Sequence, residues 1–338
     1  MQCKEITKEK PILVLEGSIR SAFGRSGNNI LEFLHAIQLA RDQDVQLGIM
    51  THSWAMDVLQ KMWMAIDDSN WEEKFEKAFC VKIFDFPNEL EGWDVRYNTT
   101  NRQQQEQQQY PQNYYTTKEL FNYQSPKSLG EYIDDQEYAI RTLFRGYNTG
   151  EGEFDSMHSN TRDMCSGIKS IFGKNRAGAI YSVIHSRKLE GRPGLSLLSK
   201  YARKSGCDPV AALEMRPDYV KSILKPLRML SYPVVVVHDG QDPDVVARLL
   251  QDPELKPLIR LVHENDRWIG GDITLAVMAN VFIGNPASSF SGFINKARSS
   301  LGFGHSYLWR AKNPETKEWR TVCGDHCVFD KTIYGLMA

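Results

Sequence analysis

Apolar and polar positions alternate along this chain in two rhythms. Short unbroken apolar runs, the mark of strands buried on both faces, recur between longer stretches with apolar residues three and four apart, the mark of helices. The runs at Pro11–Leu15, Val45–Met50 and Val81–Phe86 predict three strands. Between them, Asn28–Arg41 has a wide apolar face of Ile30, Leu31, Leu34, Ile37 and Leu39, and Ser53–Ile66 predicts a second helix. Further helices are predicted around Glu137–Arg145 and Met157–Ile171.

The alternation resumes at Ala177. Strands are predicted over Ala179–Ile184, Val234–Val237, Leu258–His263 and the run opening at Val281. Helices are predicted over Leu195–Ala202, Asp208–Leu224, Asp242–Leu250 and Asp272–Ala279. A last helix restarts after Gly284-Asn285-Pro286, with apolar residues at Phe290, Phe293, Ile294 and Ala297. Strand–loop–helix order of this kind predicts an α/β fold with parallel sheets. Two such blocks predict two Rossmann-like domains facing across a cleft, with a boundary in about 150–177, so that domains of 1–165 and 166–338 result.

The segment Asn98–Thr117 breaks the pattern. Its core is mostly glutamine and is too polar to bury, which predicts a surface insertion. It opens on the sequon Asn98-Thr99-Thr100, which has meaning only in the secretory pathway.

Composition narrows the class. The 338 residues are 41% apolar and 25% charged, with a net charge of −1. Nothing here favours nucleic acid or an anionic membrane surface as partner. No apolar run is long enough to span a bilayer, and the polar N-terminus is not a signal peptide, so the chain taken as written reads either as cytosolic or as a piece whose leader is missing. Six cysteines are too sparse for a disulfide scaffold. Cys323 and Cys327, with His326 between, are close enough for a local bridge or a metal pair, but no second ligand pair has zinc-like spacing. The carboxylates of Asp239, Asp242 and Asp244 read better as a helix cap and first turn before Pro243 than as a metal site. The P-loop, the nucleophile elbow, the zinc helix and the dinucleotide fingerprint are all missing from the sequence.

Three places at strand ends carry candidate chemistry, because α/β sheets bind ligands there. The first is Gly24-Arg25-Ser26-Gly27-Asn28-Asn29, where glycines allow close backbone approach and a helix begins; it also reads as an ordinary strand-to-helix turn with a surface arginine. The second is His185-Ser186-Arg187, whose arginine can take a phosphate in two hydrogen bonds, or else pairs with Glu190 or lies in solvent. The third is Ser288-Ser289-Phe290-Ser291, hydroxyls at a helix start where unpaired amides and the helix dipole favour an anion. Ser288 or Ser289 also reads as a plain N-cap.

These motifs, in this order, resemble the GDP-fucose-dependent fucosyltransferases of GT-B architecture, the protein O-fucosyltransferases in particular. Gly24–Leu34 is similar to their Gly-Arg-x-Gly-Asn-Gln loop and helix, His185-Ser186-Arg187 to their His-x-Arg motif, and Asp272–Arg298 to their Asp-bearing helix, Phe-Ile-Gly-Asn, Ser-Ser-Phe and basic helix end. The resemblance covers about an eighth of the chain. It implies an inverting, metal-independent transfer of fucose from GDP-fucose to a hydroxyl of a protein or glycan, in the lumen of the endoplasmic reticulum or Golgi.

On that resemblance Arg187 would bind the β-phosphate, with His185 in the same motif. Ser288, Ser289 and Phe290 would hold phosphates and sugar, and Asp272 would approach the guanine. Arg25, Gly27 and Asn28 would close the site from the first domain. The family often has a histidine where this chain has Glu32. Glu32 would be a general base if partly buried, and otherwise a surface glutamate. The sequence after Arg187 departs from the family's acidic continuation. Two alternatives stay open: an α1,2- or α1,6-type glycan fucosyltransferase, and a non-catalytic nucleotide-sugar or glycan-binding protein on the same fold.

Overall fold

The computed structural model describes residues 6–15, 26–51, 53, 56, 59–60, 70–98, 138–140, 142–144, 180–186, 215–238, 243–261, 269–285, 288–308, 310–312 and 319–321. The chain divides into two compact units: Met1–Glu153 with Asn160–Arg162, and Phe154–Ser159 with Asp163–Ala338. Both are α/β, and each is built on a parallel sheet.

In the first unit β1 (Ile12–Leu15) is wholly buried and pairs in parallel with β2 (Gln46–Met50) and β4 (Val95–Asn98); β2 pairs with β3 (Val81–Phe84). The sheet order is β3-β2-β1-β4. Helix α1 (Ser26–Asp42) links β1 to β2, and α2 (Trp71–Phe79) precedes β3. The two helices meet through aromatics. Phe33 of α1 lies 5.7 Å from Phe75 and 5.2 Å, edge-on, from Phe79.

Helix α2 and strand β4 were not among the predicted elements. The signal for α2 was present: Trp71, Phe75, Ala78 and Phe79 recur at helical spacing within a charged segment. Its caps are atypical. Asn70 at the start and Cys80 at the end both take left-handed backbone, and Asn70 makes no side-chain capping bond. The strand predicted to reach Phe86 stops at Phe84, because Pro87 starts a short 3₁₀ turn (Pro87–Leu90) that the residues before it must enter.

In the second unit β5 (Ser182–Ser186) lies at the centre of a five-stranded sheet. Its neighbours are β6 (Val234–His238) and β8 (Val281–Gly284); β7 (Ile259–Leu261) and β9 (Ser306–Leu308) form the edges, and all pairings are parallel. The order β7-β6-β5-β8-β9 is the Rossmann order, in which winding reverses between β5 and β8. A separate antiparallel pair, β10 (Arg310–Lys312) and β11 (Trp319–Thr321), follows.

Each sheet face has its own cover. Ile184, Val234, Val236, Val281 and Ile283 pack against α3 (Pro217–Leu224) and α4 (Pro243–Gln251). Helices α5 (Ile269–Met278) and α6 (Ser289–Ser300) pack together, α5 against β5 and α6 against β8. The predicted apolar face of α6 is buried as expected at Phe290, Phe293, Ile294 and Ala297.

Two boundaries correct the sequence reading. The helix predicted from Asp208 to Leu224 does not run through Arg216, which is extended (φ −102°, ψ 138°). It starts at Pro217, since a proline disfavours helical backbone in the residue before it. The strand predicted to end at Ile184 runs on through His185 and Ser186. The segments 99–117, 157–171 and 195–202, with residues 239–242, Cys323, His326 and Cys327, lie outside the described residues.

Candidate functional site

The winding reversal places the C-terminal ends of β5 and β8 side by side, and in an open α/β sheet ligands bind outside such a point. The polypeptide supplies polar groups from both ends. His185 and Ser186 close β5. After β8, Asn285 leads to Ser288 and into α6.

Side chains alternate across a strand, so His185 and Ser186 face opposite sides of the sheet. His185 faces α6. Its Nδ1 lies 2.6 Å from the Ser291 Oγ, and its ring centroid is 4.8 Å from that of Phe290. The Ser291 Oγ also accepts the backbone N–H of Asn285 at 2.8 Å. This contact depends on Gly284. A Cβ there would sit 2.9 Å from the Ser291 Cβ and Oγ and 2.8 Å from the Phe282 ring, closer than side chains pack. Missing side-chain volume on β8 lets Ser291 reach across to β5. Ser186 lies on the opposite face, in register with His238 at the end of β6, and its hydroxyl is buried.

The start of α6 differs from an ordinary capped helix. Ser288 has the extended backbone of an N-cap (φ −108°, ψ 120°), yet its hydroxyl makes no capping bond. Ser288 is thus the N-cap residue, as the sequence reads it, but its side chain does not do the capping. The side chain is 1% exposed, and among the described residues the Oγ has no hydrogen-bond partner; the Ser186 Oγ shares that condition. A helix start leaves its first amides unpaired, and buried polar groups are normally satisfied. A helix start with no side-chain cap and a buried, unsatisfied Ser288 hydroxyl, at a winding reversal, has the groups to hold an acceptor-rich ligand.

The remaining candidates separate as follows. Phe290 is buried against His185. Ser289 is the first helical residue of α6. Asp272 lies in the first turn of α5, half-buried, on a helix that begins three residues earlier than the sequence pattern indicates. Gly27 and Asn28 lie in the first turn of α1, in the first unit. Glu32 is on the same helix and is buried, which removes the surface-glutamate reading; His35 and Gln38 continue a buried polar line along α1. Arg25 and Arg187 lie outside the described residues.

Sequence reasoning missed the part played by Arg298, read only as a basic helix end. It is wholly buried, and its guanidinium joins three segments. Nη1 donates to the carbonyls of Val277 (2.7 Å) and Ala279 at the end of α5. Nη2 donates to Gly304 O (2.6 Å), and Nε donates to Ser306 Oγ (2.8 Å) at β9. The Phe303 ring stacks 5.6 Å away. Burial pulls its pKa down to about 10. The clamp holds α6, whose far end carries Ser288, against α5 and β9.

Among the described residues no three His, Cys, Asp or Glu side chains converge as a metal site would require, and no helix is long and apolar enough to cross a membrane. Cys80 is disulfide-bonded.

No family model matches the chain, and no curated protein matches it. Solved structures similar to it include POFUT1 in complex with GDP-fucose, at 12% identity and a TM-score of 0.41, over 90% of this chain and 99% of that one. POFUT1 in complex with GDP gives 11% and 0.43, and its apo form 10% and 0.44, with 90% and 99% covered in each case. Superposition at these values assigns no residue of this chain a role, and the site stands on its own geometry.

Proposed function

We propose that the second unit binds the diphosphate of a nucleotide sugar at the end of β5 and β8, and that the chain is a GT-B glycosyltransferase using GDP-fucose. The observation that carries the binding step is the uncapped start of α6 with the buried, unpartnered Ser288 hydroxyl at the winding reversal. Its amides and partial positive charge suit phosphate oxygens, and a phosphate would satisfy the orphan hydroxyl. The choice of GDP-fucose rests on the resemblance of the three motifs.

In this reading Glu32 takes the proton from an acceptor hydroxyl. The freed oxygen pair bonds to the anomeric carbon of fucose, and the bond from that carbon to the β-phosphate oxygen breaks, its electrons leaving with GDP. Arg187, one residue past β5, and the amides of α6 neutralise the charge growing on the departing diphosphate. Attack from the face opposite the leaving group would invert the anomeric centre. Burial of Glu32 supports its part, since a carboxylate shielded from water can meet an acceptor hydroxyl directly. Charge neutralisation by arginine and helix amides makes the proposed chemistry metal-independent. A disulfide at Cys80 and the sequon at Asn98 support work in the oxidising secretory lumen on a protein or glycan acceptor.

A donor screen reading nucleotide release tests this. The expected outcome is GDP release from GDP-fucose, lost by at least about a hundredfold in Arg187→Ala with the fold intact. Release of UDP from a UDP-sugar instead, or full activity in Arg187→Ala, refutes the assignment. GDP-fucose binding with no release under any acceptor leaves a binding protein.

A further inference from the structure

We infer that Ser291 is a positioning residue that fixes His185 as the tautomer protonated at Nε2, so that the imidazole offers an N–H donor to the bound diphosphate or sugar. This rests on the donor-site reading above and names a residue it did not use.

The argument is one of proton counting. The Ser291 side chain is fully buried, so no solvent reaches its hydroxyl. Its oxygen meets two nitrogens. One is the backbone N–H of Asn285, at 2.8 Å, which is a donor and nothing else. The other is His185 Nδ1, at 2.6 Å. Among the described residues Ser291 has no third partner, so its own proton has one acceptor open to it, the ring nitrogen. Were Nδ1 protonated, two N–H groups would converge on one oxygen and the serine proton would be buried without an acceptor. Nδ1 is therefore the acceptor, and in a neutral ring the proton resides on Nε2.

Three further features hold the arrangement. The Asn285 amide fixes the serine oxygen from the β8 side. The absence of a Cβ at Gly284 gives Ser291 its path. Phe290 packs on the imidazole face and holds its plane. The dyad thus joins the end of β5 to the first turn of α6 and sets the hydrogen-bonding sense of the ring. A donor at Nε2 suits a phosphate or hydroxyl oxygen.

The test is long-range ¹H–¹⁵N NMR on protein labelled at histidine, with and without GDP, the His185 signals being identified by their loss in His185→Gln. The expected result is a ring protonated at Nε2 in wild-type protein. Ser291→Ala should release it to a tautomer mixture and weaken GDP binding by roughly tenfold. The same serine change made on His185→Gln should add nothing, because Ser291 acts through the ring. An equal loss in both backgrounds overturns the inference. Wild-type protein that binds GDP with His185 protonated at Nδ1 overturns it alone and needs no variant to fold. Wild-type protein that fails to bind GDP overturns the donor-site reading and this inference together.

Discussion

Replacing Arg298 tests whether a side chain far along α6 sets the geometry of the helix start. Arg298→Met keeps much of the volume and removes every donor. In the native structure four contacts are well made, those to Val277, Ala279, Gly304 and Ser306; the contacts to Ala276 at 3.4 Å and Asn280 at 3.5 Å add little. Hydrogen bonds to a charged group contribute about 1.5–3 kcal/mol each, so the gross stabilisation is on the order of 6–12 kcal/mol. Desolvation of the guanidinium opposes this, as its depressed pKa shows. Methionine also avoids that cost, but it leaves the last carbonyls of α5 unpaired in an apolar setting. Stranding about three buried carbonyls at the lower end of about 1–3 kcal/mol each gives a net loss of about 3–4 kcal/mol.

Urea unfolding followed by circular dichroism measures it, the slope being checked so that the midpoint shift reports stability. Arg298→Lys is the informative control. A lysine keeps the charge near the α5 terminus but cannot reach three segments at once, so it should recover less than half of the loss. Hydrogen exchange should quicken first around Asn280 and at the α5–β8 junction. If Arg298→Met unfolds within about 1 kcal/mol of wild type, the clamp is decorative and the reasoning fails.

Lys296 is buried on the same helix, and burial lowers its pKa from 10.5 to about 8. The unfolded chain then binds more protons between about pH 8 and 10.5, so this group makes stability rise with pH across that window. Lys296→Met should raise stability at pH 7 by on the order of 1–3 kcal/mol and flatten the rise, as read by melting temperature against pH; an unchanged slope refutes it. Gly284→Ala should cost about 2 kcal/mol in urea unfolding through overpacking against Phe282 and Ser291, and should weaken GDP binding as strongly as Ser291→Ala. Cys80 ends α2 with φ 56° and ψ 47°, so among disulfide-free variants Cys80→Gly should exceed Cys80→Ala by about 1 kcal/mol in unfolding free energy. Equal values would show that the turn relaxes once the bridge is gone.

These perturbations fall where the sequence was hardest to read, for a physical reason. Periodicity is local, and it located β1, β6, β8 and α6 because each buries its own apolar residues regardless of partner. Strand order is not local. No periodicity says that β8 crosses back to lie beside β5, yet that crossing brings two separate strand ends together. Ser288 at the join was legible as a helix start, since extended backbone and a small polar residue mark an N-cap. The absence of its capping bond was not legible, because it depends on where the hydroxyl lies once packed.

Arg298 shows the same limit from the other side. A basic residue in a last helical turn ordinarily faces solvent and the helix's own dipole. Here the short turns at Met278–Val281 and Leu301–His305 bring foreign carbonyls around it, and burial turns a surface charge into a joint. His185 and Ser291 are 106 residues apart and meet because one residue between them in space, Gly284, lacks a side chain. What composition and spacing could announce was a helix start with the backbone groups to hold an anion. Which way the protons point within it is decided by a single buried oxygen that has one donor on one side and must therefore find an acceptor on the other.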